Sequence, residues 1–180
     1  NQPVISYLNQ IFGDKWQHIS PDDEPLESAS YPTIPALAPL TLMLDNSSLR
    51  DWAQANHAQL RQWLNDGQDG AIISDALRRI NQLYADLRSP IGTASMGRIT
   101  GPEPEAARQT ATYRPLVLAT PTVDIGYNFE KAGKQRQNVD FLMCEARYGD
   151  DLIQRIGRAG RVLGKPETQT PSTAVTLLNE

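Results

Sequence analysis

The octapeptide Gln154-Arg-Ile-Gly-Arg-Ala-Gly-Arg161 places three arginines and two glycines in eight residues. Arg155, Arg158 and Arg161 recur at every third position, so on a helix they share one face. A guanidinium fork matches phosphate oxygens in pairs, and glycine lets backbone come close to a ligand. This segment can hold a phosphate and neutralise its charge. The plain alternative is a solvated basic helix end, which would not need arginines at a fixed pitch with glycines between them. Upstream, Val117-Leu-Ala-Thr-Pro-Thr-Val-Asp-Ile-Gly126 runs from an apolar strand into a segment carrying hydroxyls, a carboxylate and a glycine.

A phosphate site suits the local charge better than the global one. The 180-residue chain has a net charge of −4, so the whole is not an electrostatic nucleic-acid binder. Residues 1–69 hold three Lys/Arg against nine Asp/Glu, and 70–180 hold fourteen against twelve, with the positive charge gathered between Lys131 and Lys165. Cys144 is the only cysteine, which excludes an internal disulfide, and its apolar setting in Val139–Cys144 predicts a small core residue. His18 and His57 lack metal-ligand spacing. No apolar run approaches the length of a membrane span, and Asn1-Gln-Pro-Val does not open a signal peptide. The setting expected is cytoplasmic and reducing.

The elements that must position these residues follow in order. Val4 to Phe12 reads as a short amphipathic helix closed by Gly13-Asp14. Ser20 to Pro39 holds five prolines and four acids, an extended connector. Thr41–Leu44 is a brief strand where the chain re-enters a core. Ser47 or Ser48 caps a helix running to about Asp66, with Leu49, Trp52, Asn56, Leu60, Trp63 and Leu64 on one face and Gly67 after its end. Packing, rather than base stacking, is the expected role of its two tryptophans. Gly70–Asp75 is a buried strand. A helix with Leu77, Ile80, Leu83, Tyr84 and Leu87 follows, stopped by Ser89-Pro90. A short strand ends at Ile99, and Pro102 opens a helical turn to Thr110. Leu116–Ala119, Val139–Cys144 and Ala174–Leu178 are further strands, with a helix over Asp151–Arg158. Lys131–Arg136 is a surface loop, an additional place where nucleic acid could touch.

Strand–helix alternation from residue 70 onwards predicts an α/β fold with a parallel sheet flanked by helices. Right-handed crossovers put the loops after Ala119 and before Asp151 at the carboxyl edge, where ligands bind in such sheets. Thr120–Gly126 and Gln154–Arg161 are therefore expected to converge.

These residues carry a resemblance. Ala119–Gly126 resembles motif V of superfamily 2 helicases, and Gln154–Arg161 fits the motif VI pattern Q-R-x-G-R-x-G-R at every specified position. Arg98-Ile-Thr-Gly101 with Glu105-Ala-Ala-Arg108 resembles the accessory motif upstream of motif V, and Gly70–Asp75 sits where motif IV opens the second RecA-like domain. The continuation Ile125-Gly-Tyr-Asn-Phe129, the strand ending Cys144-Glu-Ala and the leading Gln154 are similar to CRISPR-associated helicases of type I systems, the type I-D form among them.

The resemblance implies a RecA-like helicase C-terminal lobe over 70–180. It also implies the end of a preceding lobe over 1–19, an interlobe connector over 20–46 and a bridging helix over 47–69. It implies ATP and Mg2+ as cofactors, held mainly by a first lobe. Arg158 and Arg161 become γ-phosphate arginines, Arg161 being the first choice for the finger. Gln154 lines the nucleotide cleft, Gly126 and Asp124 lie beside it, and Arg155 belongs to the same cluster or holds the motif's structure. Thr120, Thr100 and Gly101 contact the tracked strand's backbone. Ser74 either touches phosphate or caps the next helix, and Asp124 equally suits a structural hydrogen bond. Implied partners are the first lobe, single-stranded DNA, a crRNA-guided effector complex and a separate nuclease.

The departures are the absence of a G-x-x-x-x-G-K-[ST] loop and of a D-E-x-[HD] quartet, together with Pro121 inside motif V. An ATP hydrolase lacking those parts is expected to be inactive without its first lobe. A repair or restriction helicase lobe remains an alternative, as does a non-catalytic module that binds nucleic acid or protein.

Overall fold

Buried parallel strands read as unbroken apolar runs, because helices cover both faces. Gly70–Ile73 (β2), Leu116–Ala119 (β4) and Phe141–Glu145 (β5), apolar up to its terminal Glu145, are such runs, and every residue in them is buried. A computed structural model describes residues 35–121, 129–146 and 148–178 of the chain. The expected helix at 4–12 and most of the Pro-rich connector lie outside those residues. The remaining elements are β1 (Leu40–Asp45), α1 (Leu49–Ala55), α2 (His57–Asn65), α3 (Leu77–Ile91), β3 (Met96–Ile99), α4 (Glu105–Thr112), α5 (Gly149–Ile156) and β6 (Ser172–Leu177).

Six strands form one sheet in the order β1-β6-β5-β2-β4-β3, and every pairing is parallel. The alternation of side chains along each strand divides the core in two. Ile72, Leu116, Leu118, Phe141, Met143 and Val175 meet Leu49, Trp52, Leu60, Ile80, Leu83 and Leu87 from α1, α2 and α3. On the opposite face Ala71, Ile73, Val117, Ala119, Leu142 and Cys144 meet Ala111 of α4 and Ala159, with Leu152 and Ile156 of α5 packed alongside. Side chains at zero exposure, such as Leu60, Ile72 and Ile80, each contribute about 1.5–3 kcal/mol through burial.

Three local outcomes differ from the sequence reading. The helix expected from Ser48 to Asp66 is two helices, because Asn56 turns its side-chain amide onto Trp52 O at 2.8 Å and interrupts the run. Ser48 caps the first of them, accepting from Asp51 N at 3.1 Å. Trp52 is buried and Trp63 stacks on Phe141 with ring centroids 4.8 Å apart, so both tryptophans belong to the core.

The second difference is Pro90, which lies within α3 instead of stopping it. A proline in the last turn forgoes only one backbone bond, and the stop comes from Gly92 at φ +89°. The third is β1, which extends the sheet by pairing with β6 along its whole length but lies at the edge. Its Leu40, Leu42, Met43 and Leu44 are all exposed rather than buried in a core.

Candidate functional site

Four adjacent strands are in register at their carboxyl ends, three of them stopping together and β5 running one residue further. Ile99 of β3 pairs with Ala119 of β4, Ala119 with Ile73 of β2, and Ile73 with Cys144 of β5. The next residue on each is Thr100, Thr120, Ser74 and Glu145, three hydroxyls and a carboxylate side by side at the carboxyl edge. Ladder bonding continues through them: Thr120 N donates to Ile99 O at 3.2 Å and Ser74 N to Ala119 O at 3.1 Å. With strands about 4.8 Å apart, the row spans roughly 14 Å. Gly101 follows Thr100 at the surface, and among the described residues nothing lies within 4 Å of where its Cβ would be.

Each end of the row is closed by an arginine–carboxylate pair. At one end the Thr100 N–H, at 2.8 Å, and the Thr100 hydroxyl both donate to Glu103 Oε2, while Arg98 Nε lies 3.1 Å from Oε1. The Arg98 guanidinium also sits 4.9 Å from the Tyr84 ring centroid and donates to Asn81 at 2.8 Å, which fixes its plane. At the other end the Ser74 hydroxyl donates to Glu145 Oε2 at 2.6 Å, and Arg79 Nη1 lies 2.9 Å from that oxygen. Ala76 N lies 3.4 Å from Ser74 Oγ, so Ser74 also serves the start of α3. Three donors converging on one carboxylate, as at Glu103, would equally suit a phosphate oxygen.

Helix α5 begins with Asp150 and Asp151 in its first turn and ends with Arg155 in its last, charges that suit the helix dipole. Arg155 is 2 % exposed, pairs with Asp75 at 2.5 Å and donates to Glu145 O. It thus ties α5 to the carboxyl ends of β2 and β5. Gln154, one residue earlier, is exposed. Arg158 is buried, with its N–H on Arg155 O at 2.9 Å. Arg161 is exposed, and its Nε donates to Gly157 O at 2.8 Å.

The backbone around Arg161 is pinned on two sides. Leu37 forms an antiparallel bridge with Arg161, and Ala38 N donates to Gly160 O at 2.8 Å. Gly160 N donates to Val139 O, just before β5. Gly160 has φ +70°, and a Cβ there would stand 2.8 Å from Ser172 Oγ, so only glycine fits. The structure therefore groups Thr100, Thr120, Ser74 and Arg155 at the carboxyl edge and sets Arg161 beyond the far end of α5. Asp124 and Gly126 lie outside the described residues.

Glu103, Glu145, Asp75 and Arg79 were not singled out by the sequence. Only Glu145 carried a signal, as an acid terminating the apolar strand Phe-Leu-Met-Cys-Glu. The loop lysines offered as a nucleic-acid contact are otherwise engaged. Lys131 and Lys134 both pair with Asp69, and Lys134 also pairs with Asp140 at 2.6 Å. Burial pushes the Lys131 ammonium below its usual range, against the pull of Asp69. Among the described residues no cluster of three or more His, Cys, Asp or Glu is placed to hold a metal ion, and no helix is long and apolar enough to cross a membrane.

No protein-family model matches the chain, and no curated protein matches it. Solved structures do. A CRISPR-associated protein aligns over 85% of this chain and 18% of its own, at TM-score 0.60 and 17% identity. The DUF1998 helicase MrfA bound to DNA aligns over 78% and 20%, at TM-score 0.58 and 14% identity. The E. coli DExH-box NTPase HrpB aligns over 81% and 20%, at TM-score 0.58 and 14% identity. The fold is RecA-like. The chain spans about a fifth of the length of these three proteins.

Proposed function

We propose that this chain is the second motor lobe of an ATP-dependent DNA helicase or translocase, binding a single strand along its carboxyl edge and presenting arginine to a nucleotide. The observation that carries it is the level row Thr100–Thr120–Ser74 at the end of a RecA-like sheet, in a chain that also holds the Gln154–Arg161 motif. Hydroxyl and backbone N–H groups bind phosphates without reading bases, as a stepping motor requires. Likeness to a DNA-bound helicase and to an NTPase supports the reading.

Hydrolysis of ATP would supply the free energy for stepping. Of the residues described, Arg161 fits a phosphoryl oxygen best: it is exposed, and a single bond from its Nε holds it in place. Arg158 stands beside it in the motif, and Mg2+ with most of the nucleotide would rest on a first lobe. Charge develops on the γ-phosphoryl oxygens during transfer, and a positioned guanidinium stabilises it.

The finer reading is a helicase of CRISPR interference in the cytoplasm, working with a crRNA-guided complex and a separate nuclease. It rests on Ile125–Phe129, on Cys144-Glu-Ala and on likeness to a CRISPR-associated protein. Co-purification with a crRNA-containing complex tests it; association with DNA alone would return the chain to a repair or restriction helicase.

The strand row is tested by Gly101→Asp, which adds a negative charge where the described residues leave room for a side chain. Fluorescence anisotropy of a labelled single strand with the full-length protein should show affinity falling about tenfold, the loss expected from about 1.4 kcal/mol of repulsion. Unchanged binding with an intact fold would refute the row as the strand's path.

A further inference from the structure

Where the hydroxyl row ends at Glu145, a cavity of about 210 Å3 opens between α1 and α3, lined by Ser48, Leu49, Arg50, Arg79, Gln82 and Leu83 together with Glu145 itself. We propose that this cavity receives one unstacked base of the bound single strand, a base presenting an exocyclic amine. The inference rests on the strand-binding reading above and adds a base subsite to it.

Four features define the ligand. The position is continuous with the row, since Ser74 beside the cavity is bonded directly to Glu145. The size is below the roughly 300 Å3 at which pockets for drug-sized ligands begin, which suits a single planar ring system. Leu49 and Leu83, both almost fully buried, supply an apolar floor for a ring face. Arg79 is 44% exposed at its side chain and anchored on Glu145, so its guanidinium plane is available to stack on a base.

Edge recognition follows from Glu145, whose side chain is 8% exposed. Both of its bonds, to Ser74 and Arg79, use Oε2. Among the described residues Oε1 carries no bond, which leaves it as an acceptor on a residue that lines the cavity. A carboxylate oxygen accepts from the exocyclic amine of cytosine, adenine or guanine, whereas thymine offers only its ring N3–H, flanked by two carbonyls that repel a carboxylate. Gln82 at the rim can pair with either kind of edge.

The test uses the full-length protein and a cytosine oligonucleotide in which one nucleotide at a time is made abasic or replaced by thymidine. Stacking contributes enough per base that one position should stand out, with an abasic site costing about tenfold in affinity and thymidine there costing part of that. Gln82→Trp, which obstructs the mouth, and Arg79→Ala, an exposed residue, should each bring the intact strand down to the affinity of the abasic one. Equal losses at every position, with Gly101→Asp still weakening binding, would overturn the base subsite and leave the row. Flat scans with Gly101→Asp also silent would overturn both.

Discussion

Arg155 Nη2 lies 2.5 Å from Asp75 Oδ1, joining the arginine-rich helix α5 to the residue that follows Ser74 at the end of β2. The same guanidinium donates to Glu145 O at the end of β5. One buried side chain thus connects the segment read as facing nucleotide with the row read as facing the strand. It is a physical link through which occupancy at one could be felt at the other.

Arg155→Lys keeps the charge but loses the fork that reaches both Asp75 and the Glu145 carbonyl, so one of these described partners goes unpaired. Arg155→Ala leaves the Glu145 carbonyl without its donor and opens a void at a site only 2% exposed. Denaturant unfolding should show losses of about 1–2 kcal/mol for Lys and about 3 kcal/mol for Ala. Wild-type stability in Arg155→Ala would show that the link carries no weight.

At the opposite edge of the sheet, Asp140 is 3% exposed and meets Lys134 at 2.6 Å, Arg136 at 3.1 Å and the Asp69 N–H at 2.7 Å. Asp140→Asn strips the charge that balances two cations and should cost about 3 kcal/mol in thermal or chemical unfolding. A variant as stable as the parent would mean that the lysine loop is held by other contacts.

Glu103 occupies donors that a phosphate would use: the Thr100 N–H, the Thr100 hydroxyl and Arg98. Removing its charge with Glu103→Gln should therefore tighten single-strand binding, by about fivefold at low salt, with the gain shrinking as salt rises. Weaker binding in the variant would instead make Glu103 a residue that holds Thr100 in place for the strand.

How much of this could be read in advance varied with the kind of signal. The strand at Leu116–Ala119 was legible to the residue, because an apolar run between Pro115 and Thr120 has few alternatives when both faces are covered. Thr100, Thr120 and Ser74 could be picked out one by one, yet their common level is set by register across β2, β3 and β4, which no local pattern encodes. The Asn56 break was missed because its cause is a side-chain bond competing within a periodic run. Glu103 and Arg79 were missed because their partners are brought to them by packing. The inward turn of Lys131 and Lys134 was equally hidden, since charge in a glycine-containing loop reads the same whether it faces water or Asp69.

On the proposed reading, Arg161 completes a nucleotide site that a first lobe begins. The most direct test is DNA-stimulated ATP hydrolysis by the full-length protein with Arg161→Ala, read beside single-strand affinity. The loss of a transition-state arginine predicts turnover lower by about 10^3-fold, with strand affinity within about twofold of the parent. Hydrolysis at the parental rate would contradict the account.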